Sequence, residues 1–366
     1  MRALGILTAI LAISLAYGSV LAQPSDSWLF PLHMFDAQTG WAESRKGSSG
    51  IFAKGAIGSL LRTTDGGLRW RDVTPRDPPE RQIDPLYVLY PLTSLVAWAS
   101  AAPMIQHDPA LLFRTTDGGQ TWKFATMPGS GIVPSVHFIN TLDGWRVTYD
   151  GDIYRSRDGG NTWVKIGTAK FFRQTAGITF LNTTTGWIAG HKDPPDSVYY
   201  LETHDGGRTW QQRNLPLPHQ LTLLPTFKSF ATGKLPKFFT AKDGIVSVTY
   251  SRTGEDAGVV FYITHDGGIT WTATTPIASQ RDCCAFSFAD AEHGWVKSGN
   301  ALYTTSDSGR RWAKVPSNLP YADVGTLFFV SQGVGWATGQ VLSPPLLLKT
   351  VDGGRTWAPV PYAIMR

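Results

Sequence analysis

Seven times between Thr63 and Trp357 the chain repeats one eight-residue pattern, Ser/Thr-x-Asp-x-Gly-x-x-Trp. The copies are Thr63 to Trp70, Thr115 to Trp122, Ser156 to Trp163, Thr203 to Trp210, Thr264 to Trp271, Thr305 to Trp312 and Thr350 to Trp357. Successive aspartates stand 41 residues apart at the closest (Asp117 to Asp158) and 61 at the widest (Asp205 to Asp266). That is the period of a four-stranded propeller blade. No sustained helical period lies between the boxes, so an α/β organisation has little support.

A second pattern precedes each box: an aromatic strand, a polar turn, then Gly-Trp and another strand. Trp41, Trp145, Trp187, Trp295 and Trp336 follow glycine, and Trp98 takes the same place after alanine. With the box residues, 13 of the 14 tryptophans belong to one repeating plan. The unit before the fifth box reads Asp243-Gly244-Ile245, which puts Ile245 in the tryptophan position. The unit from Pro134 to Gly167 displays the strands most plainly. Ser135 to Ile139 forms the inner strand, Asn140 to Gly144 a turn, Trp145 to Tyr149 a second strand, and Asp150-Gly151 a hairpin into Ile153 to Arg157. The box then leads to an outer strand over Thr162 to Gly167. Seven such units predict an all-β, seven-bladed β-propeller of four-stranded antiparallel blades, one domain over residues 27–366.

The box residues suit a turn better than a reaction. Asp65, Asp117, Asp158, Asp205, Asp266, Asp307 and Asp352 can accept backbone N–H groups within their own turns, and the glycines tolerate φ > 0. The Ser/Thr hydroxyl bonds locally, and the tryptophan buries a large apolar surface.

Met1-Arg2 followed by the apolar run Ala3 to Ala22 has the plan of a secretory leader, with small residues at Val20-Leu21-Ala22 for cleavage. The expectation is a signal peptide over residues 1–22 and a secreted or periplasmic protein. Uncleaved, the same run is long enough to anchor the chain in a membrane. The formal charge of +5 falls by one without Arg2. So small and dispersed an excess argues against nucleic acid, while an anionic partner surface stays open. The two cysteines, Cys283 and Cys284, are adjacent. They read either as a strained vicinal disulfide or as two small apolar residues opening an inner strand.

The box, covering residues 63 to 357, resembles the Asp-box (BNR) propellers. Its combination with aromatic strands and Gly-Trp, clearest in Phe180 to Gly190 followed by Thr203 to Trp210, resembles the photosystem II stability and assembly factor family. That resemblance implies a non-catalytic propeller binding a protein partner, a membrane protein among the candidates, on the extracytoplasmic side. Sialidases also carry Asp-boxes, but their six blades and Arg-Ile-Pro signature fit this chain less well. A glycan-binding protein or a glycosidase is the alternative.

Outside the repeat, chemistry is sparse. Asp150 and Asp152 flank a hairpin glycine as a weak carboxylate pair. The eight histidines lack metal-ligand spacing. No phosphate loop, dinucleotide fingerprint or nucleophile elbow appears, so no cofactor and no metal is expected. Recognition is expected where blades depart from the repeat. The longest departure, Gln211 to Phe238, rich in Leu and Pro, reads as a partner-binding flap or a long solvated connection. Lys228, Lys234, Lys237 and Lys242 accompany it, and Arg146, Lys170, Arg173 and Lys192 fall near loops of neighbouring blades. These eight cations are the candidate binding residues of an expected monomer, and Thr74 to Pro85 and Lys192 to Ser197 read as rigid surface loops.

Overall fold

Blade three shows how one repeat becomes a sheet. Ser135–Phe138 pairs with Gly144–Val147, then Asp152–Ser156, then Val164–Thr168, each antiparallel to the last. Asn140 forms the first turn by accepting the N–H groups of Leu142 and Asp143 on its side-chain oxygen at 2.8 and 2.7 Å. The box forms the last. Ser156 Oγ donates to Asp158 Oδ1 at 2.8 Å and accepts the Gly160 N–H at 2.8 Å. Asp158 also accepts the backbone N–H and the hydroxyl of Thr162 at 3.0 and 2.6 Å. Gly159 and Gly160 sit at φ 76° and 95°, where a Cβ would be strained.

The structure, a computed structural model, describes residues 27–46, 58–75, 83–103, 110–129, 135–148, 150–170, 175–190, 199–216, 218, 227–252, 256–280, 285–320, 324–339 and 346–365. The leader, the Cys283-Cys284 pair and the loops 76–82 and 191–198 lie outside them. Every regular element described is a strand, and the strands form seven sheets arranged as the blades of a propeller.

Neighbouring blades are joined by aromatic side chains. Trp98 of blade two stacks on Phe138 of blade three at 3.9 Å between ring centroids, and Trp145 stacks on Phe180 of blade four at 3.9 Å. Trp295 stacks on Phe329 of blade seven at 3.8 Å. The next blade's box tryptophan meets each phenylalanine edge-on, as Trp163 does Phe138. The indole N–H then donates to the carbonyl of that box's first glycine: Trp98 to Gly159 at 2.9 Å, Trp145 to Gly206 at 3.0 Å. The glycine before the tryptophan makes room for the stack, since a Cβ on Gly144 would lie 2.3 Å from the Phe138 ring. Ile245 occupies the tryptophan register in blade five, paired with Lys237 and Ile263. Phe261 fills the gap it leaves, 5.3 Å from Phe288 and 5.5 Å from Trp312.

The boxes and the inner-to-second turns share one face of the propeller. Gly159 N donates to Leu142 O at 2.9 Å, and the same link recurs in the other blades, as from Gly353 to Gly333. The remaining connections therefore leave from strand ends on the opposite face. There blade five departs from its neighbours. Its second and third strands, Gly244–Arg252 and Asp256–Thr264, are nine residues each, and the added strands Phe227–Gly233 and Ile277–Gln280 flank them. Where it is described, the departure from Gln211 to Phe238 is mostly strand. It supplies blade four's outer strand Gln211–Asn214 and blade five's inner segments Phe227–Gly233 and Lys237–Phe238, while residues 217 and 219–226 lie outside the described residues.

The ring is closed by strand exchange. Ala358–Pro359 completes blade seven, and Ala363–Met365 then crosses to blade one and pairs in parallel with its outer strand, Ile364 opposite Trp70. Trp70 is consequently fully buried, whereas the box tryptophans of blades two to six remain half-buried. Truncation after Val360 should red-shift Trp70 emission and lower the urea midpoint, with Trp70→Phe in both backgrounds assigning the signal. An unchanged spectrum would show that the exchanged strand does not cover blade one.

Candidate functional site

The register sets one residue of each inner strand opposite the tryptophan position: His33, Tyr90, His137, Thr179, Lys237, Ser287 and Phe328. Seven equivalent positions on the innermost strands define one level around the propeller axis. Several of these side chains reach to the following blade. His137 Nε2 donates to Phe180 O at 3.1 Å, the carbonyl requiring the proton on that nitrogen. Lys237 Nζ donates to Phe288 O at 2.9 Å, and Ser287 Oγ accepts the Phe329 N–H at 2.9 Å. Burial pushes the Tyr90 hydroxyl up to about 12. His33 packs against Phe35 and Phe328, at 4.7 and 5.3 Å between centroids.

Electrostatics divides this ring. Burial brings His33 down to about 4, with the charge of Lys237 adding to the effect. Burial also brings His137 down to about 4, against the opposing hydrogen bond to Phe180 O. Both imidazoles are therefore neutral at neutral pH. Lys237 is lowered to about 8 by burial, and Lys234, three residues earlier, is lowered for the same reason. Both lysines are nonetheless exposed to water. Their ammonium groups are thus crowded by protein and still in contact with water. Lys237 Nζ lies 4.9 Å from the Phe239 ring centroid and Lys234 Nζ 4.8 Å from that of Phe286.

Among the described residues, the cations singled out in the sequence stand at different places in the fold. Arg146 is withdrawn from any solvent-facing surface because it is fully buried. It faces back toward blade two, where it donates through Nη1 to Pro128 O and through Nη2 to Gly129 O at 3.4 Å. Its Nε has no partner, and burial lowers the guanidinium to about 10. Lys242 lies exposed in an inner-to-second turn on the box face, its carbonyl accepting the Gly267 N–H at 2.9 Å. Lys170 is exposed beyond the outer strand of blade three, at the opposite face. Lys228 belongs to the added inner strand of blade five. Arg173 and Lys192 lie outside the described residues. Sequence reasoning missed the axial ring, although each unit marks it: the residue just before the aromatic or Met/Pro that ends the inner strand.

A family model described as "Photosynthesis system II assembly factor YCF48" matches residues 43–170, and a BNR/Asp-box repeat model matches residues 262–273. The chain is an Asp-box propeller that resembles the photosystem II assembly factor. Among solved structures it is similar to YCF48 bound to D1 peptide, with 18% identity, a TM-score of 0.55, and coverage of 91% of this chain and 97% of that one. YCF48 from Cyanidioschyzon merolae gives 16% identity, TM-score 0.55, and coverage of 90% and 97%. A family-74 xyloglucanase from Xanthomonas campestris gives 13% identity and TM-score 0.58, covering 93% of this chain and 55% of the enzyme, so this chain spans about half its length. At these identities the likeness to solved structures is one of fold. No curated protein matches.

Three carboxylates of this Asp-box propeller outside the boxes are tied into the fold. Buried Glu43 accepts the Leu89 N–H of blade two at 2.9 Å. Buried Glu202 accepts from Arg213 Nε at 2.9 Å, and lies 3.1 Å from His204 Nε2 without hydrogen-bond alignment. Asp152 pairs with Lys165 at 2.7 Å and accepts the Thr168 hydroxyl, which ties it to the outer strand. Among the described residues no group of three or more His, Cys, Asp or Glu could hold a metal ion.

The neutral ring histidines give the fold an acid sensitivity. Between pH 6.5 and 4 the unfolded chain binds protons at His33 and His137 that the folded chain does not, so stability falls as pH drops through that window. Each should cost on the order of 2–3 kcal/mol by pH 4.5. The box carboxylates act lower. The Thr121 hydroxyl holds Asp117 at about 2, so its contribution is present above the ordinary carboxylate value and lost only as pH falls through about 2. Urea denaturation at pH 7 and 4.5 should show His137→Gln flattening the dependence; an equally steep loss in the variant would refute the assignment.

Proposed function

We propose that the protein is exported and binds a polypeptide partner through the face opposite its Asp-boxes, in the assembly or stabilisation of an extracytoplasmic or membrane complex. The observation that carries this reading is the division of labour between the two faces. The box face is one motif repeated seven times and bonded to itself. The other face holds the departures from the repeat, above all the extra strands of blade five. Surfaces that vary on a rigid repeated frame are where recognition is built.

Three further points support the reading. The family match and the YCF48 neighbour with its D1 peptide concern proteins of the same architecture. The apolar run from Ala3 to Ala22 has a secretory plan. Lys170 lies exposed beyond the outer strand of blade three and offers positive charge to the face opposite the boxes, and Arg173 and Lys192 are its companions in the sequence.

Affinity capture from the native envelope fraction tests the proposal. The Lys170→Glu/Arg173→Glu/Lys192→Glu variant should lose at least tenfold in partner retention, while Lys242→Glu, on the box face, should retain it. Loss confined to Lys242→Glu, or retention on a glycan array with no protein captured, would overturn it. Mass spectrometry of the envelope form should find an N-terminus just after Ala22; a cytoplasmic chain retaining Met1 would overturn export.

A further inference from the structure

We propose that the inner strand of blade five, at the level of the axial ring, is a binding site for a small organic anion of the carboxylate class, with Lys237 and Lys234 as its cationic contacts. The site is distinct from the face assigned to the polypeptide partner.

The ring itself makes the case. Six of its seven positions carry His33, Tyr90, His137, Thr179, Ser287 and Phe328, all uncharged at neutral pH. Closing the ring therefore does not require a charge at this level, and serine or threonine suffices. Lys237 nevertheless places an ammonium there, and Lys234 adds a second on the same blade. Among the described residues neither forms an ion pair. Lys237 Nζ is met by the Phe288 carbonyl and the Phe239 ring, and Lys234 Nζ by the Phe286 ring.

An ammonium crowded by protein and aromatic rings without a counter-charge contributes less to packing than a neutral side chain, so packing alone would favour a neutral residue here. Cations on the third strands of other blades, by contrast, have structural work. Arg114 and Lys349 lie over Trp98 and Trp336, and each donates to a turn carbonyl of the following blade. An ammonium has three donors, and the Phe288 carbonyl takes one from Lys237. Water reaches both lysines, so an ion can as well.

The surroundings select the ligand. Lys237 lies close enough to His33 for its charge to act on the imidazole, which places the cation near the aromatic group of His33, Phe35 and Phe328. Phe239 and Phe286 stand under the two ammonium groups. Such walls receive a carbon skeleton while the lysines receive its carboxylate, a combination that favours an organic anion over a fully hydrated inorganic one.

Titration calorimetry of the full chain with acetate, succinate, citrate and inorganic phosphate tests the proposal. At least one organic carboxylate should bind the unaltered protein with one-to-one stoichiometry and at least tenfold more tightly than phosphate. Lys237→Ser, which places in blade five the residue blade six already carries in the ring, should weaken that binding at least tenfold. Lys234→Met should weaken it as well, and Lys237→Arg should retain it. Lys242→Met, on the box face, should bind as the unaltered chain does. Equal affinity in Lys237→Ser, or no carboxylate binding at millimolar concentration, would overturn the proposal. Circular dichroism of each variant separates lost binding from lost fold.

Discussion

The propeller depends on an indole that leaves its own sheet to pack in the next one. In three blades the second-strand tryptophan, Trp98, Trp145 or Trp295, stacks on the neighbour's inner phenylalanine and hydrogen-bonds to the neighbour's box, and Trp336 makes the same bond to Gly66 without a phenylalanine. One side chain thereby joins three pieces of sequence that are far apart in the chain. Flat aromatic stacking and a directed N–H bond together fix both distance and angle, which apolar burial alone does not. The box is accordingly more than a turn. Its geometry presents the first glycine's carbonyl to the arriving indole, so each blade's turn is also its neighbour's anchor.

The junctions around blade five show what happens when that interaction changes. Ile245 has no N–H to offer, and the box it would have met, in blade six, is the one with Ser308 in place of the first glycine, at φ 63°. Trp187, on the other side of blade five, leaves its buried indole N–H without a partner and stacks on Phe238 at 4.9 Å, about 1 Å looser than the other pairs. Opposite it, Glu202 stands where blades two, three and seven carry Arg114, Arg155 and Lys349. These departures border the blade that carries the added strands and both Lys234 and Lys237. The regular junctions hold the frame, and the irregular ones surround the part of the molecule that differs.

Much of this was legible in the sequence, because a repeat reports its own register. The strand plan read from Pro134 to Gly167 matches the observed blade three to within a residue or two, and Ile245 falls in the predicted tryptophan register. Box chemistry followed from residue type, since an aspartate followed by glycines can satisfy a tight turn internally. Three features were not legible. Arg146 lies one residue beyond Trp145, and in a strand that one step reverses the side chain into the junction with blade two. The axial ring has no shared residue type, so composition hides it, and its one mark in sequence, the place just before the residue that ends the inner strand, gains meaning only from the pairing register. The closing strand is three residues long and pairs with a partner nearly three hundred residues earlier, a contact with no local pattern to announce it.

That closing strand also orders events in time. Until residue 364 exists, the outer edge of blade one offers unpaired backbone groups and a bare Trp70, the combination that invites pairing with a second chain. The first blade to be synthesised is therefore the last to be finished. Six other blades must stack in sequence before the ring can deliver its final strand to the first. The hazard of intermolecular association is thus concentrated in the interval between making blade one and completing the ring, and it ends in a single step.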